Sequence, residues 1–295
     1  MTDTATMERP SPLGAVPSPT PARRRDFRGE LRAVHIVWKR ELIRFVRART
    51  RIVTGLIQPV LFLFVLGGGL SPLVGAAGGL DFRQFVFPGV VAMSVVTTAI
   101  FSAVSIVWDR EFGFLREMLV APVSRGALVM GKSLGGTTVA TLQGTIMLVL
   151  APLVGISLTP LMVVEVMAAS ALMAFALTSF GLFVAGRIKR IESFQVVMQF
   201  ALFPMLFLSG ALFPIHGLPG WLGGLTRLDP VTYAVDPVRR AVFGNQHLGA
   251  AAAARFGAGV DLFGRILPIW SELAIVLVMA MIFLSLSVQA FSRTE

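Results

Sequence analysis

Six stretches of this chain each run for about twenty residues with almost no charge, which is the length needed to cross a bilayer as a helix. They are Ile52–Leu70, Val86–Trp108, Ser133–Gly155, Leu161–Ala185, Phe194–Ile215 and Ile266–Ala290. A backbone inside lipid must satisfy its own hydrogen bonds, so runs of this length predict helices. Only 14% of residues are charged, 55% are hydrophobic and the mean hydropathy is +0.78, whereas a soluble domain carries about 25% charge. The sequence therefore predicts an all-α integral membrane protein with six transmembrane helices. The first apolar run begins some fifty residues in, after a basic stretch, which argues against a cleaved signal peptide.

Lys and Arg set the orientation. Twelve of the 26 precede residue 52, four lie in the 109–132 loop (Arg110, Arg116, Arg125, Lys132), three follow span four (Arg187, Lys189, Arg190), and Arg293 lies in the tail. The opposite side holds Arg83, Arg227, Arg239, Arg240, Arg255 and Arg265. Both termini are thus expected in the cytoplasm, and the protein in a bacterial cell membrane. The net charge of +10 is concentrated beside the first span, where it would meet anionic headgroups rather than nucleic acid.

Residues 1–26 are rich in Pro, Ser, Thr and Ala and are expected to be disordered, ahead of one membrane domain over 27–295. Leu31, Val34, Trp38, Leu42 and Phe45 then recur at three and four among Arg28, Arg32, Lys39, Arg44 and Arg47. This predicts an amphipathic helix in the cytoplasmic interface; a simple basic flank is the alternative. Between spans two and three, Phe112, Leu115 and Leu119 share one helical face, with Asp109, Arg110, Arg116 and Glu117 on the other, and Pro122 ends the pattern. Such a rigid cytoplasmic helix is a docking surface. Span five holds Pro204, Ser209-Gly210 and Pro214, and Leu222–Val242 is too interrupted to span. An outer re-entrant hairpin with Trp221 and Tyr233 at headgroup level is expected before the last span, with an ordinary loop as the alternative.

Gly126-Ala127-Leu128-Val129-Met130-Gly131-Lys132-Ser133 fits the phosphate-binding pattern letter for letter. The context refuses it: Pro122 and a turn precede it and a membrane span follows. Lys132 reads instead as a topological anchor, and Gly131, Gly135 and Gly136 as sites of close helix packing. There is no cysteine, the three histidines are scattered, and no nucleophile or acid–base cluster lies at membrane depth. No metal or cofactor is expected on this chain. Gln143, Glu165 and Glu272 are polar groups within spans; Glu165 and Glu272 sit near the outer edge, where an outer arginine could pair them.

Asp109-Arg110-Glu111, Leu115-Arg116-Glu117-Met118-Leu119 and Ala121-Pro122-Val123-Ser124-Arg125, with Leu206–Pro214 (LFLSGALFP) and Leu228–Asp236, resemble the ABC-2 type permeases, above all the daunorubicin-resistance drug-export permeases of actinobacteria. Asp229 departs from the Asn expected there. The resemblance implies a permease subunit without ATPase activity, exporting amphiphilic drugs or lipid-like molecules. ATP and Mg would be bound by two copies of a separate ABC ATPase, beneath a pair of permease chains, identical or paralogous. It also implies that Asp109, Arg110, Glu111, Phe112, Leu115, Arg116, Leu119 and Pro122 form the coupling helix. Phe207, Leu208, Gly210, Phe213 and Pro214 are candidates for the translocation gate. Export of a polysaccharide or glycolipid is the alternative substrate class, and an intramembrane enzyme a remote one.

Overall fold

The computed structural model describes residues 27–74, 82–113, 124–212, 219–244, 259–262 and 265–292. The expected disordered head (1–26), most of the coupling loop (114–123, with Leu115, Arg116, Leu119 and Pro122) and Phe213 and Pro214 lie outside them.

The amphipathic stretch forms α1 (Phe27–Arg47). Span one follows as α2 (Arg49–Leu61), a π-turn at Phe62–Leu66 and α3 (Gly67–Val74). Span two is α4 (Phe82–Ser102) and α5 (Val104–Glu111), interrupted at Ala103. Then come α6 (Arg125–Leu148), α7 (Pro160–Ala185) and α8 (Ile191–Leu208). Two short helices, α9 (Gly220–Leu228) and α10 (Pro230–Gly244), precede a two-residue antiparallel ladder (Asp261–Leu262 with Arg265–Ile266) and α11 (Ile269–Ser292).

Among the described residues five helices are long and apolar enough to cross a membrane: Ile52–Ser71, Phe82–Glu111, Pro160–Ala185, Ile191–Leu208 and Ile269–Ser292. The expected third span, α6, is not one of the five. It starts eight residues earlier than the apolar run, where the Ser124 hydroxyl accepts the Ala127 amide at 3.1 Å, and it is diluted by Gly and Thr. Its polarity is largely hidden. Thr137, Thr138, Thr141 and Thr145 each return their hydroxyl to the carbonyl four residues back, at 2.7 to 2.9 Å, as Thr does when no water is at hand.

Span two is the axis of the bundle. Fourteen residues of α4, from Phe85 to Ile100, are buried, with α6 and α7 packed along it and α7 pairing extensively with α11. Small residues set the spacing. A Cβ on Gly131 would fall 2.8 Å from Val37 Cβ, and one on Gly135 2.7 Å from Glu41 Cβ. A Cβ on Gly136 would strike Ser102 and Thr178. The expected close-packing glycines therefore seat α1 on α6 and α6 on α4 and α7. Trp38 adds a hydrogen bond from its indole N–H to Thr138 Oγ1 at 3.0 Å.

Span five is shorter than the sequence suggests. The helix ends at Leu208 rather than Ile215, because Gly210 turns left-handed (φ +72°) and the Ser209 hydroxyl takes the Ala211 amide at 3.2 Å. Tyr233 is not at a surface: it is buried, and its hydroxyl donates to the Arg227 carbonyl at 2.8 Å. Trp221 is 71% exposed.

Candidate functional site

The coupling pattern begins as a continuation of span two. Helix α5 carries Asp109, Arg110 and Glu111, then stops: Phe112 leaves helical geometry and Gly113 has φ +82°. The helix that the resemblance would run on to residue 121 therefore ends at Glu111 among the described residues. Asp109 and Arg110 were expected on a solvated polar face, and the structure corrects this. Asp109 is 4% exposed. Its two oxygens accept Arg40 Nη2 at 2.9 Å each, and Oδ2 also accepts Lys132 Nζ at 2.8 Å. Arg44 approaches to 3.8 Å.

Lys132 is itself buried and reaches Glu41 Oε1 at 3.3 Å and Ser105 Oγ at 3.0 Å. A carboxylate and an ammonium buried together need this density of partners, because each alone would bear the full desolvation cost. The phosphate-loop pattern is thereby disposed of on positive grounds. Residues 126–133 lie in α6, their amides are helical, and the lysine is spent on two carboxylates.

Arg110 and Glu111 turn to other helices. Arg110 Nη1 donates to the carbonyls of Ala185, Gly186 and Ile188 at 3.2, 3.3 and 3.0 Å, so it caps the C-terminal end of α7 where orphan carbonyls and the helix dipole favour a cation. Glu111 Oε2 accepts the Ile191 amide at 2.9 Å, at the N-terminal end of α8, where an anion is favoured. Arg125, on the far side of the loop, caps the carbonyls of Phe291 and Ser292 at 3.0 and 2.7 Å. The three residues of the Asp-Arg-Glu run thus tie one helix end to α1 and α6, to α7, and to α8. On either side of them in sequence, Trp108 and Phe112 pack together with tilted rings, 5.2 Å between centroids, both at least half exposed.

At the opposite end of span two, the gate candidates part company. Gly210 is held: Arg239 of α10 donates to its carbonyl, and the Arg239 guanidinium lies 5.3 Å from the Phe85 ring centroid. A Cβ on Gly89 would collide with the Ala211 carbonyl, so α8 ends against the axis of α4. Leu208 offers its carbonyl to Thr232 at 3.5 Å. Phe207, by contrast, is 50% exposed and lies on the open side of α8 with Val196, Phe200 and Phe203. Gln195, Val196, Gln199, Phe200, Phe203 and Pro204 line a groove of about 610 Å³ on that side.

The polar groups expected within spans sort differently. Glu272 is fully buried and pairs with Arg240 at 2.9 Å, while Arg240 also holds Asp236 at 2.6 Å and the Leu267 carbonyl at 2.9 Å. The expected arginine partner is present, from α10. Gln143 is buried and donates to the Ile52 carbonyl at 3.3 Å, joining α6 to span one. Glu165 is exposed. Asp229 caps α10 by accepting the Val231 amide at 3.1 Å, and burial pushes its carboxyl up to about 7. Among the described residues no group of three His, Asp or Glu could hold a metal. Arg40 and Glu41 escaped the reading of the sequence, and Arg44, Arg239 and Arg240 entered it only as cations that set orientation or flank a helix, without the partners they find here. Their signal was the acids: in so apolar a chain a buried Asp or Glu must find a cation.

A bundle of apolar helices whose buried charges tie its helices together, with its one phosphate-loop pattern wound into a helix, is a multi-pass membrane protein. The family model for the ABC-2 type transporter matches residues 32–243, and the chain belongs to that family. It is 31% identical over 213 residues to nodulation protein J of Rhizobium leguminosarum bv. viciae, covering 70% of this chain and 81% of that protein. It is 30% identical over 223 residues to nodulation protein J of Rhizobium meliloti, covering 72% and 85%. The inner membrane transport permease YadH of Escherichia coli K12 is 27% identical over 217 residues, covering 72% and 83%. The chain is thus a transport permease of the bacterial cell membrane.

Proposed function

We propose that this permease is the membrane subunit of an ATP-driven exporter, with α6 as a sixth crossing, both termini in the cytoplasm, and α9–α10 as an outer hairpin. In this reading two permease chains stand on two separate ABC ATPase chains, and residues 109–122 carry the coupling. The observation that carries it is the fanning of Asp109, Arg110 and Glu111 to three sides of the bundle. A push on the chain just beyond them reaches α1, α6, α7 and α8 at once, so docking there can move the whole unit. The apolar face of α8 supports pairing of two chains along span five and a path for an amphiphile. Drugs or lipid-like molecules suit its Phe and Val surface, with Phe207 the described residue best placed as a constriction.

Leu115→Asp tests the coupling. It should leave insertion intact and abolish pull-down of the ATPase, whereas unchanged pull-down removes the role. Glu111→Arg is a poorer probe, because Glu111 also caps α8. For the substrate, the co-reconstituted complex should hydrolyse ATP faster with an amphiphilic drug. Stimulation by a polysaccharide or glycolipid alone would transfer the assignment to glycan export.

A further inference from the structure

Helix α1 has two faces, and its charges are sorted between them. Glu30 and Glu41 are eleven residues apart, about three turns, so both lie on one side of the helix. That side carries Val34, Val37, Trp38 and Glu41 into contact with α6. Arg32, Ile36, Lys39, Ile43 and Arg47 follow one another at spacings of four, three, four and four, and define the opposite side. All five are exposed, Ile36 at 58% and Ile43 at 43%. An exposed stripe that alternates cation and isoleucine, with every acid of the helix turned the other way, is complementary to a surface that is anionic outside and apolar just beneath.

We infer that the stripe Arg32–Ile36–Lys39–Ile43–Arg47 is a binding face for anionic phospholipid, the isoleucines entering the acyl boundary while the cations take headgroup phosphates. The inference rests on the orientation proposed above, which puts α1 at the cytoplasmic leaflet, where acidic lipids give a negative surface potential. The position fits: α1 leads within five residues into span one, so it lies at the level of the headgroups. It also matters for the permease, since Glu41 on the packed side of the same helix, and Arg40 and Arg44 on its half-exposed flank, join the Asp109–Lys132 cluster. Lipid held on one side of α1 sets the seat of span two's end on the other.

The test reconstitutes the full chain in vesicles of phosphatidylcholine with one fifth phosphatidylglycerol, extracts it with limiting detergent, and measures the ratio of the two lipids that remain bound. Wild type should enrich phosphatidylglycerol at least about twofold over the bulk at low salt, and lose the excess as salt rises past the screening range. The triple variant Arg32→Gln/Lys39→Gln/Arg47→Gln should fall to the bulk ratio. Lys189→Gln/Arg190→Gln, exposed cations off the stripe, should keep the enrichment, and millimolar inorganic phosphate should not compete. A single cysteine at Ile36 in this cysteine-free chain, carrying a fluorophore, should be quenched by a lipid-borne quencher near the headgroups. Enrichment that survives in the triple variant overturns the proposal. So does crosslinking of the Ile36 cysteine to a second copy, which would make the stripe a protein interface. A cysteine at Lys189 that reacts with impermeant maleimide only from the outside refutes the orientation instead, and so separates the two failures.

Discussion

Asp109→Asn should be among the most damaging substitutions in the chain, although the residue stands at the edge of a loop that the sequence paints as solvated. The magnitude follows from its partners. Arg40 and Arg44 have side chains 39% and 42% exposed, so each pair contributes at most about 1 kcal/mol. Lys132 is different: its side chain is 2% exposed and that of Asp109 5%. Breaking a buried pair from one side costs about 3–5 kcal/mol, because the other charge is left without compensation. Lys132 keeps Glu41 at 3.3 Å and Ser105 at 3.0 Å, which places the loss toward the lower end, about 3 kcal/mol. At about 2–4 °C per kcal/mol for a chain of this order of size, the apparent melting temperature in detergent should drop by roughly 6–12 °C. Lys132→Met should cost less, since Asp109 retains the two-oxygen contact with Arg40. The double variant should be less damaged than the sum of the singles by about 1–3 kcal/mol, the range for charges in contact. Simple additivity, within about 0.5 kcal/mol, would show that the two charges do not depend on each other and that the buried cluster is the wrong account of this end of span two.

Asp229→Asn should keep the cap on α10 and remove a pH dependence. With the folded carboxyl raised to about 7 from an ordinary value of 3.8, the stabilising share of Asp229 is complete below pH 4, declines from pH 4 to 7 and is flat above. The variant should match wild type in the acid and melt higher above pH 7, and parallel pH curves would refute it. Arg240→Gln should destabilise the chain by leaving Glu272 buried without its ion-pair partner and Asp236 without its hydrogen-bonded one, and Glu272→Gln should recover part of that loss; a second substitution that only adds damage counts against the pairing. Cysteines replacing Phe207 should crosslink between two chains if α8 lines their interface, whereas free labelling by lipid-phase reagents with no crosslink would place that face in lipid. Lys132→Ala, in complexes that remain folded and keep their ATPase chains, should leave ATP hydrolysis within a few fold of wild type, and a fall of orders of magnitude in such complexes would restore the discarded nucleotide site.

Five of the six apolar runs of bilayer length, the period of α1 and the glycines of α6 were legible because each is a local pattern: a helix in lipid satisfies its backbone from residues four apart, so the information lies within one segment. The same locality let the phosphate-loop pattern be refused, since its neighbours favoured a helix. What the tertiary structure decided is where the charges go. Asp109 meets Lys132 and Arg40 across 23 and 69 residues, and Arg240 meets Glu272 across 32; neither distance has a period or a motif. The seat of span five's end likewise turned on partners far away, because Gly210 is held by Arg239 and its neighbour Ala211 by a gap at Gly89. In an apolar bundle a charge is driven to whichever opposite charge the topology brings near, and that is a property of the packed whole, which no single segment carries.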